Sequence, residues 1–159
     1  MTINVKIAGL GGMGVLKSSL ILAEVAFQEG YDVKKSEVHG MAQRGGSVCS
    51  DVRFGNAVKS PMIPEGAVDY LLLFEEADMP LYQRDINETT RILRASLIDA
   101  AQLPSRKSLN VAMLGALSAL LSIPQTRWVD AIHRLFPDKL RAANDGAFAL
   151  GFAAGKEFL

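Results

Sequence analysis

Cysteine is almost absent: Cys49 is the only one in 159 residues. One thiol makes no internal disulfide and cannot supply the four thiolates that an iron–sulfur cluster usually takes. Such cysteine usage fits a reducing cytoplasm. Histidine is nearly as scarce, with His39 and His133 alone. His39, the better functional candidate, has no second histidine or carboxylate at ligand spacing, so no metal site is expected. No sign of charge dominates, because 17 basic residues balance 17 acidic ones. That balance lacks the basic footprint of a nucleic-acid binder, and with 49% hydrophobic residues it excludes intrinsic disorder. Long hydrophobic runs are missing too. The longest, Val111 to Ile123, falls short of the ~20 residues that span a bilayer. The first six residues, Met-Thr-Ile-Asn-Val-Lys, have no basic region ahead of an apolar stretch, so no signal peptide is expected.

What is present is a chain of the size of one domain, taken here as residues 1–159. A chain of about 150 residues buries roughly 70% of its unfolded surface, enough for a core without disulfides or metals. Residues 3–8 alternate apolar and polar and read as a strand. Gly9-Leu10-Gly11-Gly12-Met13-Gly14 follows, then a helix from Val15 to Glu29 that Gly30 is placed to end. Residues 32–38 read as a second strand, which completes a strand–helix–strand unit. Further strands are expected at 47–54, 68–74 and 92–98, with a short edge piece at 57–59. The acidic residues Glu75, Glu76 and Asp78, with Pro80, suit a helix start. Helices are expected at 110–121, from Pro124 to Leu135, and from Asp138 to about Gly151. This pattern spells an α/β fold, a three-layer α/β/α sandwich with a Rossmann-like start and a mixed, mainly parallel sheet.

Charge is uneven along the chain. Residues 65–88 carry Glu65, Asp69, Glu75, Glu76, Asp78, Asp85 and Glu88 against Arg84 alone. Residues 105–141 carry Arg106, Lys107, Arg127, Arg134, Lys139 and Arg141. These are solvated faces or a means of orienting a partner subunit.

Two loops carry the chemistry. Gly9, Gly11 and Gly14 fit G-x-G-x-x-G between a strand and a helix, where small residues let backbone N–H groups approach an anion at the helix N-terminus. The alternatives are a dinucleotide site and a tight turn with no ligand. Against a nicotinamide site, Glu37 comes a few residues late for the ribose acid, Lys34 and Lys35 precede it, and little chain remains for a substrate domain. Lys17 and Ser18 follow the glycines, but G-x-x-x-x-G-K-[ST] is not met. The second loop, His39-Gly40-Met41-Ala42-Gln43-Arg44-Gly45-Gly46-Ser47, joins an imidazole, an amide, a guanidinium and a hydroxyl on glycine hinges. Arg44 suits bidentate capture of a carboxylate or phosphate, and Gly45-Gly46 lets another backbone come close. The bland reading is a loop packed on a neighbouring subunit. Cys49 reads as an inert small strand residue and His133 as a surface or half-buried histidine. Trp128 and Phe136 read as core or interface.

Taken together, Gly-x-Gly-Gly-x-Gly-Val-Leu, Ile-Leu-Ala-Glu and Ser-Glu-Val-His-Gly-Met-Ala-Gln-Arg-Gly-Gly-Ser-Val resemble the gamma domain of 2-oxoacid:ferredoxin oxidoreductases, nearest the beta subunit of indolepyruvate ferredoxin oxidoreductase. The resemblance is densest from Gly9 to Gly55 and resumes at Val68–Glu75, at Asp99-Ala100 and from Asn110 onward. It implies an accessory subunit, inactive alone, in a complex that oxidatively decarboxylates a 2-oxoacid with coenzyme A, giving acyl-CoA, carbon dioxide and reduced ferredoxin. It implies that thiamine diphosphate, Mg2+ and iron–sulfur clusters sit on a large partner subunit, with a homodimer also possible. Under it, Gly9, Gly11, Gly12, Gly14, His39, Gln43, Arg44, Gly45, Gly46 and Ser47 bind cofactor or face the partner. No residue is assigned as a catalytic acid or base. Two departures stand out: Met13 occupies the family's usual glutamine position, and the segment 76–98 is short and lacks the Leu-Lys-Pro-Gly-Gly turn. The competing functions are a stand-alone NAD(P)-binding domain and a non-catalytic assembly subunit.

Overall fold

The computed structural model describes residues 1–39 and 46–159, with the backbone alone at His39. Five strands form one sheet in the order β2-β3-β1-β4-β5. They are Thr2–Leu10 (β1), Asp32–His39 (β2), Ser47–Gly55 (β3), Tyr70–Leu73 (β4) and Arg91–Arg94 (β5). β1 pairs parallel with β4, and β4 with β5, while β3 runs antiparallel to both β1 and β2. Four strands therefore point one way, and the antiparallel part comes from β3, as its sequence position suggested.

Side-chain alternation along β1 divides the molecule. Ile3, Val5 and Ile7 face the main core, which they share with Val52, Phe54, Leu72 and Leu93. Four α-helices enclose that core: Val15–Gln28 (α1), Leu109–Ser118 (α2), Gln125–Leu135 (α3) and Arg141–Gly155 (α4). Ala8 faces the opposite side, where Val68, Leu71, Leu73 and Tyr82 form a smaller core. That side is covered by a 3-10 helix, Glu76–Tyr82, and by residues around Ile63 and Ile86. The expected three-layer sandwich is thus lopsided. Among the described residues its third layer holds no α-helix, because the helix that starts after Glu75 is a 3-10 helix that contains Pro80.

α1 forms where the apolar spacing places it, burying Val15, Ser18, Ser19, Ile21, Leu22, Val25 and Ala26. Gly30, at φ 90°, closes it, with N–H bonds from Gly30 to Phe27 O (2.9 Å) and from Tyr31 to Ala26 O (3.2 Å). The strand–helix–strand start is modified in one respect: β3 lies between β1 and β2. The expected edge strand at 57–59 is absent, since this segment is tied down by other bonds. Val58 N donates to Asp32 Oδ2 (2.8 Å), and Arg53 Nη1 donates to the carbonyls of Ser60 (2.8 Å) and Met62 (3.0 Å). β5 ends at Arg94, four residues before the end expected from sequence, in a 3-10 turn at Ala95–Leu97.

α2 is buried on every side, and α4 packs along it with almost no space between the backbones. A Cβ at Gly151 would lie 1.7 Å from Ala112 O, and one at Gly155 would lie 2.3 Å from Ala116 O. Both contacts advance four residues in the same direction, so the two helices run parallel.

Candidate functional site at the C-terminal edge of the sheet

In open α/β sheets, ligands bind beyond the carboxyl ends of the parallel strands. Here that edge gathers the glycine loop after β1, the end of β2, the start of β3 and the residues after β4. The glycines have separate tasks. Gly9 is buried, and a Cβ there would meet Phe74 Cβ at 2.9 Å and Val15 Cγ2 at 3.0 Å. It serves close packing of strand on helix rather than facing outward. Gly11 and Gly12 are exposed, and Gly12 takes φ 90°. Gly11 N–H donates to Gly46 O (3.0 Å), joining the glycine loop to the end of the second loop. Met13, in place of the family's glutamine, turns inward: its N–H donates to Leu10 O (3.1 Å) and its Sδ accepts from Leu10 N–H (3.3 Å).

Gly14 is the N-cap of α1 at φ 79° and brings no side chain to the cap. The first turn carries no acidic residue; Lys17 stands there instead. The first N–H groups and the positive end of the helix dipole are therefore left without a side-chain acceptor. Beside them stands Asn110, in the first turn of α2. It is only 5% exposed, and its Oδ1 has no hydrogen-bond partner among the described residues. A Cβ at Gly14 would sit 2.5 Å from Asn110 Nδ2, so glycine is needed there for space as well as for backbone conformation. A buried polar atom left unpaired costs about 1–3 kcal/mol, and such a cost is tolerated where a ligand or partner supplies the bond. Asn110 was hidden in the sequence because it precedes the apolar run of a buried helix. The signal was a lone amide at the start of that run.

Ser47, half-buried at the start of β3, donates from Oγ to Asp78 Oδ2 (2.7 Å), and Ser96 Oγ donates to Glu76 Oε1 (2.9 Å). The acidic stretch 65–88 thus contributes two anchored carboxylates to this edge. Gln43, Arg44 and Gly45 lie outside the described residues, and of His39 only the backbone, paired with Val48, is described. The structure brings Gly11, Gly12, Gly14, Gly46 and Ser47 together and adds Asn110.

The opposite face of the sheet holds a second polar group. Lys6, 7% exposed, binds Asp51 at 2.6 Å and lies 3.9 Å from Asp85. Burial pulls its ammonium pKa down, but the hydrogen bond and charge of Asp51, helped by Cys49 and Asp85, more than offset this and leave it raised. Burial pushes the Cys49 thiol up, which agrees with an inert strand residue. His133 Nε2 lies 2.6 Å from Asp145 Oδ1, joining α3 to α4 as a half-buried surface pair. Trp128 is fully buried. No three His, Cys, Asp or Glu side chains converge on a metal position among the described residues, and none of their helices is long and apolar enough to cross a membrane.

The dinucleotide reading is weakened by the topology. With β3 interposed, the end of β2 that carries Glu37 is one strand spacing, about 4.8 Å, farther from the glycine loop than in an adjacent pair. Glu37 is also bound to Lys35.

The chain is 42% identical over 93 residues to the indolepyruvate oxidoreductase subunit IorB of Archaeoglobus fulgidus, a match covering 58% of this chain and 46% of that one. It is 32% identical to the IorB subunit of Pyrococcus horikoshii over 196 aligned positions, covering 98% of this chain and 97% of that one. That alignment is longer than the 159 residues of the chain, so the relative carries segments this chain lacks. The fold is that of the keto/oxoacid ferredoxin oxidoreductase gamma subunit from Geobacter sulfurreducens, with a TM-score of 0.79 at 22% identity over 96% of this chain and 98% of that one. The sequence pattern of the pyruvate ferredoxin/flavodoxin oxidoreductase family matches residues 4–107, and the chain belongs to that family.

Proposed function

We propose that the chain is the accessory, gamma-type subunit of a cytoplasmic 2-oxoacid:ferredoxin oxidoreductase whose substrate is an indolepyruvate-like 2-oxoacid. Thiamine diphosphate with Mg2+, and iron–sulfur clusters, supply the decarboxylation and electron transfer in such a complex. Its single cysteine does not fit cluster ligation, and these groups are assigned to the large partner subunit, with ferredoxin meeting the complex there. The residues at the sheet edge do fit an anionic or polar group. The single observation that carries this is the uncapped N-terminus of α1, which offers N–H donors, beside the orphaned and buried Asn110 Oδ1, which accepts from an N–H or O–H of the same ligand or partner.

In this reading the chain binds and orients; it moves no proton. The backbone of Gly11, Gly12 and Gly14 and the amide of Asn110 hold part of coenzyme A or of the substrate against the partner. Gly9 shapes the loop from beneath. His39, Gln43, Arg44 and Ser47 face the partner, with Gly45 and Gly46 allowing close approach. Arg44 offsets negative charge on coenzyme A or on the substrate carboxylate.

The test is a complex reconstituted with the large subunit carrying either Arg44→Ala or Asn110→Ala. Each variant assembles normally, but Arg44→Ala raises the KM for coenzyme A or for the 2-oxoacid by about 10- to 100-fold, the size of one lost hydrogen bond to a charged group, and Asn110→Ala by about 2- to 10-fold, the size of a neutral one. Normal turnover in both variants would reduce the chain to an assembly subunit. Tight NAD(P) binding by the chain alone would restore the dinucleotide reading.

A further inference from the structure

The other long side of the sheet presents an unpaired edge. β2 is the outermost strand, with β3 as its one strand partner among the described residues; its side chains Asp32 and Ser36 bond Val58 N–H and Pro61 O, and Val38 near its end is 60% exposed. Above it, α1 shows a second unfilled surface. Leu16, Leu20, Ala23 and Phe27 follow one another at helical spacing, and Leu20 and Phe27 are 43% and 66% exposed. α3 occupies the opposite flank of α1, as Lys17 over the Phe136 ring (5.0 Å) and the ion pairs Arg134–Glu24 (3.3 Å) and Arg127–Glu29 (2.7 Å) show. The apolar row therefore lies on the flank turned away from α3, on the β2 side of the sheet that α1 covers.

We propose that this edge and this row form an interface with a second copy of the chain, in which the sheet continues across a two-fold axis at Ser36. A two-fold axis that joins identical antiparallel edges stands perpendicular to the sheet. It keeps each face on its own side, so a residue must sit at the centre of the pairing. Charge then selects the register. Among centres that keep most of the strand paired, Lys34, Lys35 and Glu37 would each stand opposite its own copy, which is repulsive. A centre at Ser36 places Ser36 against Ser36 and Lys35 against Glu37 of the second copy, twice over. Lys35 and Glu37 already lie on one face and bind each other within the chain, so the interface merges two pairs into a four-charge cluster. Val33 then stands opposite His39 of the second copy. The same axis brings Leu20, Ala23 and Phe27 toward their counterparts, adding the apolar area that edge pairing alone lacks. Neighbouring lysines on an edge repel indiscriminate strands; this register converts that protection into specificity for self. The proposal stands independently of the oxidoreductase reading.

Sedimentation velocity on the full chain tests it, with about 1–50 µM protein, a range that brackets ordinary dimer affinities. The expected species has twice the 17.1 kDa chain mass. Lys35→Glu and Glu37→Lys, each alone, weaken self-association at least about tenfold, and the double variant restores it because the charges are exchanged. Phe27→Asp abolishes it, with circular dichroism and thermal melting confirming that each variant is folded. A monomer at every concentration, a dimer indifferent to these changes, a double variant no better than the single ones, or an edge filled by the large subunit instead would each overturn the proposal.

Discussion

Lys6 is the residue with the most demanding surroundings in the molecule. A lysine in the central strand, 7% exposed, is acceptable only because Asp51 and Asp85 meet it. Lys6→Met leaves those two carboxylates without their partner and should destabilise the fold by about 3–5 kcal/mol, read from urea denaturation at neutral pH. Because the folded pKa of Lys6 is raised above its unfolded value, its contribution is complete below the unfolded value near 10.4 and fades as pH rises through the folded one. The gap between wild type and variant should therefore narrow in strongly alkaline buffer. Cys49 gives a companion measurement. Its alkylation rate should rise with pH about a midpoint above that of a free thiol, because burial is the largest cause of its shift. Removing the Lys6 charge should move that midpoint higher still. Cys49's inertness was legible from its lone place on a strand. The role of Lys6 was not, because its carboxylate partners come from β3 and from the stretch after Tyr82, far along the chain.

At the scale of elements, α2 and α4 show most plainly what a sequence hides. Gly151 reads as a helix end, yet it lies inside α4 because only hydrogen fits against Ala112 O at 1.7 Å. Gly151→Ala should force the helices apart and cost about 2–3 kcal/mol. Gly146, in the same helix, meets only Pro104 Cγ at 3.6 Å, so Gly146→Ala should raise stability by about 0.5–1 kcal/mol. Thermal melting of the two variants should move in opposite directions. β1, α1 and β2 were readable because periodicity and Gly30 are local signals. The helix start after Glu75 was readable from its acidic residues and Pro80, but its 3-10 type was not, because these residues suit the first turn of either helix type. Of the site, the glycine loop was visible in its spacing. Asn110 was not, since its neighbour Gly14 is distant in sequence.

At the scale of the whole molecule, the acidic and basic halves of a neutral chain end up in different places. Glu76 and Asp78 are fixed at the sheet edge beside the glycine loop, while Arg127, Arg134 and Arg141 line a cleft among the helices. Among the described residues no redox group stands at the edge or in the cleft, and the one imidazole of the cleft, His133, is held by Asp145 as a bond between α3 and α4. If the chain is the accessory subunit proposed above, it shows no 2-oxoacid-dependent reduction of ferredoxin by itself and gains it with a large subunit, an outcome that a dye-reduction assay reads directly. If anchored carboxylates guide that docking, the association rate of the two subunits should fall as salt rises from ~50 to ~200 mM.

The central position of β1 has a consequence for biosynthesis. It leaves the ribosome before both its neighbours, β3 and β4, and the second is incomplete until Leu73 has been made. Through that interval Ile3-Asn4-Val5-Lys6-Ile7-Ala8 waits as an unpaired strand of high β-propensity, the type of segment that seeds aggregation. Asn4 and Lys6 interrupt its apolar run in the manner of gatekeepers. The same ammonium that ends in a buried ion pair keeps the nascent strand in water until its partners arrive.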